Sequence, residues 1–147
     1  MKLSEFINET IKENKNAEQQ FIKETLEINL FKEKFIELII DDFIVNLNSI
    51  VPSDNGYLEI KEIKKEISNY PLFLEYEIEL NINHNIAQYY LEIIGNPEKK
   101  DDGVFLKMIS VGYNRALEIE ELDFDQIEDL DVEEYIVGLF QEFKKYD

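Results

Sequence analysis

The chain has no cysteine, and it has one arginine, Arg115, against 33 aspartates and glutamates. Without thiols there is no disulfide, no thiolate nucleophile and no cysteine-ligated zinc. Histidine is equally scarce, with His84 the only one. A zinc site would have to be built almost from carboxylates alone, which is unusual for that metal. The five glycines are scattered at turns or single positions, so they cannot form a glycine-rich phosphate cradle. No G-x-G-x-x-G, P-loop, G-x-S-x-G or H-E-x-x-H pattern occurs. No uncharged stretch reaches the length of a bilayer span. The start, Met1-Lys2-Leu3-Ser4-Glu5, opens no apolar run of the kind a signal peptide carries. The default compartment on these grounds is the cytoplasm.

Negative charge is what the chain has in excess. With 15 basic and 33 acidic residues, the formal net charge is -18 over 147 residues, well beyond what a small domain needs for solubility. Such a charge repels itself, most strongly at low salt. It disfavours direct binding to DNA, RNA or an anionic membrane, since those partners need clustered Lys and Arg. A basic protein partner is favoured instead. The apolar fraction of 44%, with 10 Phe and 8 Tyr, supplies core enough for a folded single domain over residues 1–147.

The periodicity predicts an α+β fold: N-terminal helices, an antiparallel meander sheet of about four strands and a C-terminal amphipathic helix. Ser4 caps a first helix with Leu3, Phe6, Ile7 and Ile11 on one side. The polar run at 13–16 interrupts that spacing. Asn16 with Gln19 then reads as a capping box opening a second helix, with one long bent helix as the competing reading. From Phe31 a broad apolar stripe takes in Ile36, Ile39, Ile40, Phe43 and Leu47. Its width calls for cover on two sides: by a sheet, and by either the first helix or a second copy of the protein in a homodimer.

The turn Pro52-Ser53-Asp54-Asn55-Gly56 ends the helical half, with Asn-Gly suited to positive φ. Residues 57–68 fit either period and are read as a strand. Leu72 to Ile82 alternate with Phe73 to Asn83 in strict period two, placing Glu75, Glu77 and Glu79 on a wet face. After a turn at Asn83-His84-Asn85, a second strand points Ala87, Tyr89, Leu91 and Ile93 inward. A charged loop, 95–103, leads to a central strand over Val104–Tyr113. Leu117 and Ile119 read as a short fourth strand. Asp125 with Glu128 and Asp131 with Glu134 read as capping boxes, with a break near Asp131 before the last helix.

The candidate site is the stretch from Glu118 to Glu134, which holds ten carboxylates in seventeen residues and no basic residue. Asp123 and Asp125 begin like an EF-hand loop, but Ile127 and Glu128 fall where a ligand and the sharp-turn glycine belong. The E-x-K pattern of one metal-dependent nuclease class occurs at Glu59. It also occurs at Glu13, Glu62, Glu98 and Glu142, as a chain rich in both residues gives by chance. His84 reads as an exposed turn residue. No catalytic residue, metal or cofactor is therefore assigned, and the chain is not read as an enzyme.

Surface recognition is what remains. Glu118, Glu120, Glu121, Asp123, Glu128, Asp129 and Glu133, with Glu75, Glu77 and Glu79, form a field able to mimic a nucleic acid. The first expectation is an inhibitor that occupies the basic nucleic-acid-binding surface of another protein, such as a nuclease. Nuclease-toxin immunity proteins and phage-encoded anti-defence (anti-CRISPR-like) inhibitors work in this way. The alternative is a small acidic chaperone or adaptor that holds a client through the helical face around Phe31 to Leu47.

Overall fold

A computed structural model describes residues 1–50, 53–97, 103–112 and 114–145. By its internal contacts the chain forms two compact units, residues 1–33 and 34–147. The central strand's predicted end at Tyr113 and most of the charged loop after Pro97 lie outside the described residues.

The first unit is helical. Helix α1 runs Leu3–Phe35 without interruption, so no new helix begins at Asn16. The polar run carries no Pro or Gly, and Glu, Lys and Gln propagate a helix well. The apolar spacing lapses there because those residues are exposed, as are Leu3, Phe6, Ile7, Ile11, Phe21, Ile22, Leu26 and Leu30.

In the second unit, residues Ile36–Phe43 form a π-helical segment that passes into α2, Ile44–Asn48. Its sequence explains the wider turn. At α-helical spacing, Asp42 would stand on the face of Leu38 and Ile39. The i to i+5 spacing instead stacks Phe43 on Leu38 and Ile44 on Ile39. All four are buried while Asp41 and Asp42 stay exposed, and Asn46 Nδ2 donates to Asp42 Oδ1 at 3.0 Å. The buried stripe is thus Phe35, Leu38, Ile39, Phe43, Ile44 and Leu47. Ile36 and Ile40, assigned to it by the spacing, are only half-buried.

Among the described residues six strands follow, all antiparallel: β1 Gly56–Glu66, β2 Leu72–Ile82, β3 Asn85–Asn96, β4 Gly103–Ser110, β5 Arg115–Ala116 and β6 Glu120–Leu122. The first four form a meander, and both β5 and β6 pair with β4. The ambiguous segment after Gly56 is therefore a strand. Its glycine is needed for closeness rather than for positive φ: a Cβ at Gly56 would meet the Asn81 carbonyl oxygen at 2.7 Å. Positive φ falls instead on Asn83 and His84, at 51° and 71°, the pattern of a two-residue type I′ hairpin. The fourth strand read at Leu117 and Ile119 is absent. The Leu117 N–H still donates to the Met108 carbonyl of β4 at 2.9 Å, pairing resumes at Glu120, and the register slips by one residue between Ala116–Ile109 and Glu120–Leu106. An irregularity of this kind at a sheet edge also blocks further pairing.

One face of the sheet is buried, with Leu72, Leu74, Tyr76 and Ile78 on β2, Tyr89, Leu91 and Ile93 on β3, and Val104, Leu106 and Met108 on β4. Two short helices close the chain, α3 Phe124–Glu128 and α4 Val132–Lys144, with the break at Asp131 that the spacing predicts. Helix α4 lies on the buried face. The Tyr89 ring sits 4.9 Å from Phe140 and 5.3 Å from Phe143, and Tyr135 meets Phe43 edge-on at 6.4 Å. Aromatic pairs in such geometry add about 0.5–1.5 kcal/mol beyond area burial.

Candidate functional site

The carboxylates named from sequence fall in two places. Glu75, Glu77 and Glu79 stand on the open face of the sheet, half-buried. The strand register sets their neighbours. Lys64 lies opposite Glu75 and Lys61 opposite Glu77 on one side, while Glu92 lies opposite Glu75 and Lys107 opposite Glu92 on the other. Lys64, Glu75, Glu92 and Lys107 thus make a row across four strands with positive ends and a negative middle. Opposite charges in directly facing pairs stabilise a sheet. Lys64 also reaches over the Phe73 ring, 5.3 Å from its centroid, and Gln88 Nε2 donates to Glu77 Oε1 at 3.3 Å. Glu79 faces Glu59 and Gln88 instead, with no lysine opposite.

The stretch 118–134 wraps from the far edge of the sheet into α4, and several of its acids have structural work. Tyr135 donates its hydroxyl to Glu120 Oε2 at 2.6 Å. Burial, and then this bond to an anion, push the Tyr135 pKa well above the usual tyrosine value. Asp123 caps α3: its carboxylate accepts from the Gln126 backbone N–H at 2.8 Å, and the Gln126 side chain accepts from the Asp123 N–H at 2.9 Å. The capping box therefore sits two residues before the predicted pair of Asp125 and Glu128. Strand β6 ends at Leu122, so the chain turns at Asp123. Asp131 caps α4, accepting from the Glu134 N–H at 3.1 Å. Asp125, Glu133 and Glu134 occupy first helical turns, where the helix dipole favours negative charge.

Four acids have no such role. Glu118 is exposed between β5 and β6. Glu121 is exposed on β6, its carboxylate lying over Gly103. Glu128 ends α3 and Asp129 is its C-cap, the end where negative charge is unfavourable. Among the described residues, none of the ten carboxylates forms an ion pair. The pair that is present, Lys145 Nζ with Glu142 Oε1 at 2.8 Å, lies beyond the stretch. Apolar residues fix its course: Leu122, Ile127 and Val132 are buried. The site is a folded acidic ribbon, held at Glu120, Asp123 and Asp131, that presents Glu118, Glu121, Glu128 and Asp129 to solvent.

Other chemistry is sparse. Among the described residues no group of three or more His, Cys, Asp or Glu is placed to hold a metal ion, and no helix is long and apolar enough to cross a membrane. His84 is exposed in its hairpin turn, its N–H donating to Asn81 Oδ1 at 3.1 Å. A groove of about 310 Å³ between α4 and the β1–β2 end of the sheet is lined by Tyr57, Leu80, Ile82, Val137 and Phe140, with Glu133 at its rim. Nothing in the sequence marked it, because its walls come from residues some eighty positions apart. Comparison with protein-family models, curated proteins and solved structures finds no match for this chain.

Proposed function

We propose that the protein is an inhibitor that seats its acidic ribbon in the basic nucleic-acid-binding surface of another protein, as an immunity protein does on a nuclease toxin or a phage-encoded inhibitor does on a defence enzyme. One observation carries this reading. Lys64 and Lys61 stand opposite Glu75 and Glu77 in the strand register, whereas Glu118, Glu121, Glu128 and Asp129 form no ion pair among the described residues and their side chains make no capping hydrogen bond, Asp129 being the C-cap of α3 through its backbone. Fixed negative charge of this kind speeds encounter with a basic cleft and repels nucleic acid. Glu79, beside Glu59, is the sheet residue that adds to the field. Glu120, Asp123 and Glu133 contribute charge while also serving the fold.

The protein acts on this reading as a binding partner rather than an enzyme, and it works in the cytoplasm, a reducing compartment that suits a chain without cysteine. The adaptor alternative relied on the helical stripe ending at Leu47. On that face, around Phe31 to Leu47, the residues Phe31, Phe35, Leu38, Ile39, Phe43, Ile44 and Leu47 are buried and Ile36 and Ile40 half-buried, which favours the acidic ribbon over it as a binding surface.

The test is affinity capture at low salt, identification of the bound protein by mass spectrometry, and measurement of that protein's DNA or RNA binding with and without the inhibitor. Stoichiometric loss of nucleic-acid binding is expected. Reversing Glu118, Glu121, Glu128 and Asp129 to Lys should abolish the effect and leave folding intact. A complex that survives about 1 M salt, where charges are screened beyond roughly 3 Å, or a partner that still binds nucleic acid, overturns the proposal.

A further inference from the structure

We infer that Asn55 is a self-modifying site: its side-chain amide cyclises onto the Gly56 nitrogen and is lost as ammonia, leaving aspartate or isoaspartate. This does not rest on the inhibitor reading and uses a different part of the molecule. The chain holds 13 asparagines, and Asn55 is the one followed by glycine. A glycine leaves the attacking nitrogen unhindered and the backbone around it free to rotate. The fold restrains many of the others. The asparagines of α1 lie inside a helix, where the N–H that would have to attack is engaged with the preceding turn. Asn46, Asn48 and Asn81 have their side-chain amides bonded, to Asp42 Oδ1, the Ile44 carbonyl and the Tyr57 hydroxyl respectively.

Asn55 differs from these. It is exposed in the turn before β1, and among the described residues its side-chain amide makes no hydrogen bond. The Gly56 N–H donates to the Ser53 carbonyl at 3.3 Å, longer than is usual for such a bond, so little is lost when that nitrogen turns to attack. The deprotonated Gly56 nitrogen forms a bond to Asn55 Cγ, the Cγ–Nδ2 bond breaks, and the proton given up to solvent returns on the departing ammonia. Water then opens the succinimide. Addition at Cγ gives aspartate on an unchanged main chain. Addition at the Asn55 carbonyl carbon gives isoaspartate, whose main chain is longer by one methylene. That second product has no room where it forms. A Cβ at Gly56 would already meet the Asn81 carbonyl oxygen at 2.7 Å, and the pairs Gly56–Ile82 and Tyr57–Asn81 begin the β1–β2 ladder. The Asn55 carbonyl, which accepts from the Asn83 N–H at 2.9 Å, becomes a free carboxylate off the main chain. Isoaspartate therefore frays the start of β1 and the Asn83–His84 turn while the rest of the sheet stays paired. Either product adds one acid to a net charge of -18, beside the groove that Gly56 lines together with Glu133.

The test is incubation of the full chain followed by peptide mapping with mass spectrometry. The mass gain from amide to acid should appear at Asn55 before any other asparagine. It should run about tenfold faster at pH 8.5 than at pH 7.5, since the attacking nitrogen titrates far above that range. An exposed turn opens at little cost, so the folded rate should lie within about tenfold of the rate in urea. Hydrogen exchange of the aged protein should quicken at Tyr57, Leu58 and Asn83 and stay unchanged in β3. Asn55→Gln, whose longer side chain closes the ring poorly, should lose both the mass gain at this site and the change in exchange. Asn55 that stays intact while other asparagines react, a folded rate more than about tenfold below that in urea, or a rate indifferent to pH overturns the inference. So does a modified chain with unaltered exchange, or the same change in exchange in Asn55→Gln.

Discussion

On the open face of the sheet, Glu75 and Glu92 stand side by side with Lys64 on one flank and Lys107 on the other. Along residues 118–134 ten carboxylates follow one another with no basic residue among them. Both regions are acidic in the sequence, and they differ in what stands opposite their carboxylates. Glu75, Glu77 and Glu92 of the sheet face lysines across strands, at positions distant in the chain, although among the described residues none of the three forms an ion pair. The ribbon's acids could be balanced only by its tertiary neighbours, and among the described residues those neighbours supply Tyr135 and backbone N–H groups rather than ammonium groups. A count of acids along a chain therefore overstates the field of a sheet and is closer to the truth for a capped, irregular ribbon.

The ribbon depends on α4 for its anchorage, and this gives the largest effect. Ile136→Ala, which empties a site 1% exposed at the helix's inner face, should cost about 2–5 kcal/mol in urea unfolding. A cost below about 1 kcal/mol would mean that α4 does not anchor the ribbon. Next comes the bond between Tyr135 and Glu120. Tyr135→Phe should cost about 1–2 kcal/mol, within the range for hydrogen bonds to charged groups, and the loss should vanish in a Glu120→Gln background. The same tyrosine gives a pH signature, shared with Tyr76, whose pKa burial and then Glu62 push up to about 12. In an unfolded chain both ionise near pH 10. Their stabilisation is therefore complete below about pH 10 and is lost as the pH rises, for Tyr76 between about 10 and 12. Tyr76→Phe should flatten the fall in stability over that window.

The caps come third. Asp123→Ala and Asp131→Ala should each cost about 1 kcal/mol and should increase hydrogen exchange in α3 and α4 respectively while leaving β2 and β3 unchanged. Smallest is the sheet itself. Lys107→Gln combined with Glu92→Gln in a double-mutant cycle should show a coupling of about 0.2–1 kcal/mol that declines with salt. A coupling of zero would remove the contrast between the two acidic regions, and one of similar size between Lys107 and Glu118 would move it.

Much of the fold was legible because burial on one side imposes a period. The alternation from Leu72 to Ile82, the inward set Tyr89, Leu91 and Ile93, and the stripe of α4 from Val132 to Phe143 all follow directly from it. Prediction failed where burial was absent or the geometry irregular. The middle of α1 buries nothing, so no spacing marks its continuity. The π-helical turns between Ile36 and Phe43 move Asp42 off the buried face in a way that α-helical spacing cannot express. The edge opposite β4 breaks at Leu117 to Ile119 because one extra residue must be accommodated there.

For the site, the sequence by itself determined how much negative charge there is and where along the chain it is densest, since composition and order need no neighbours. It also pointed to a ribbon pinned to the fold through the apolar residues Leu122, Phe124, Ile127 and Leu130, of which Leu122 and Ile127 are buried and Phe124 and Leu130 half-buried. Only the tertiary structure decided which acids are already engaged. The strand register brings Lys61, Lys64 and Lys107 to the sheet glutamates, the end of β6 moves the cap to Asp123, and the packing of α4 delivers Tyr135 to Glu120 from fifteen residues away. Charge is a property of residues. Its neutralisation depends on distance, and the distances are set when the chain folds.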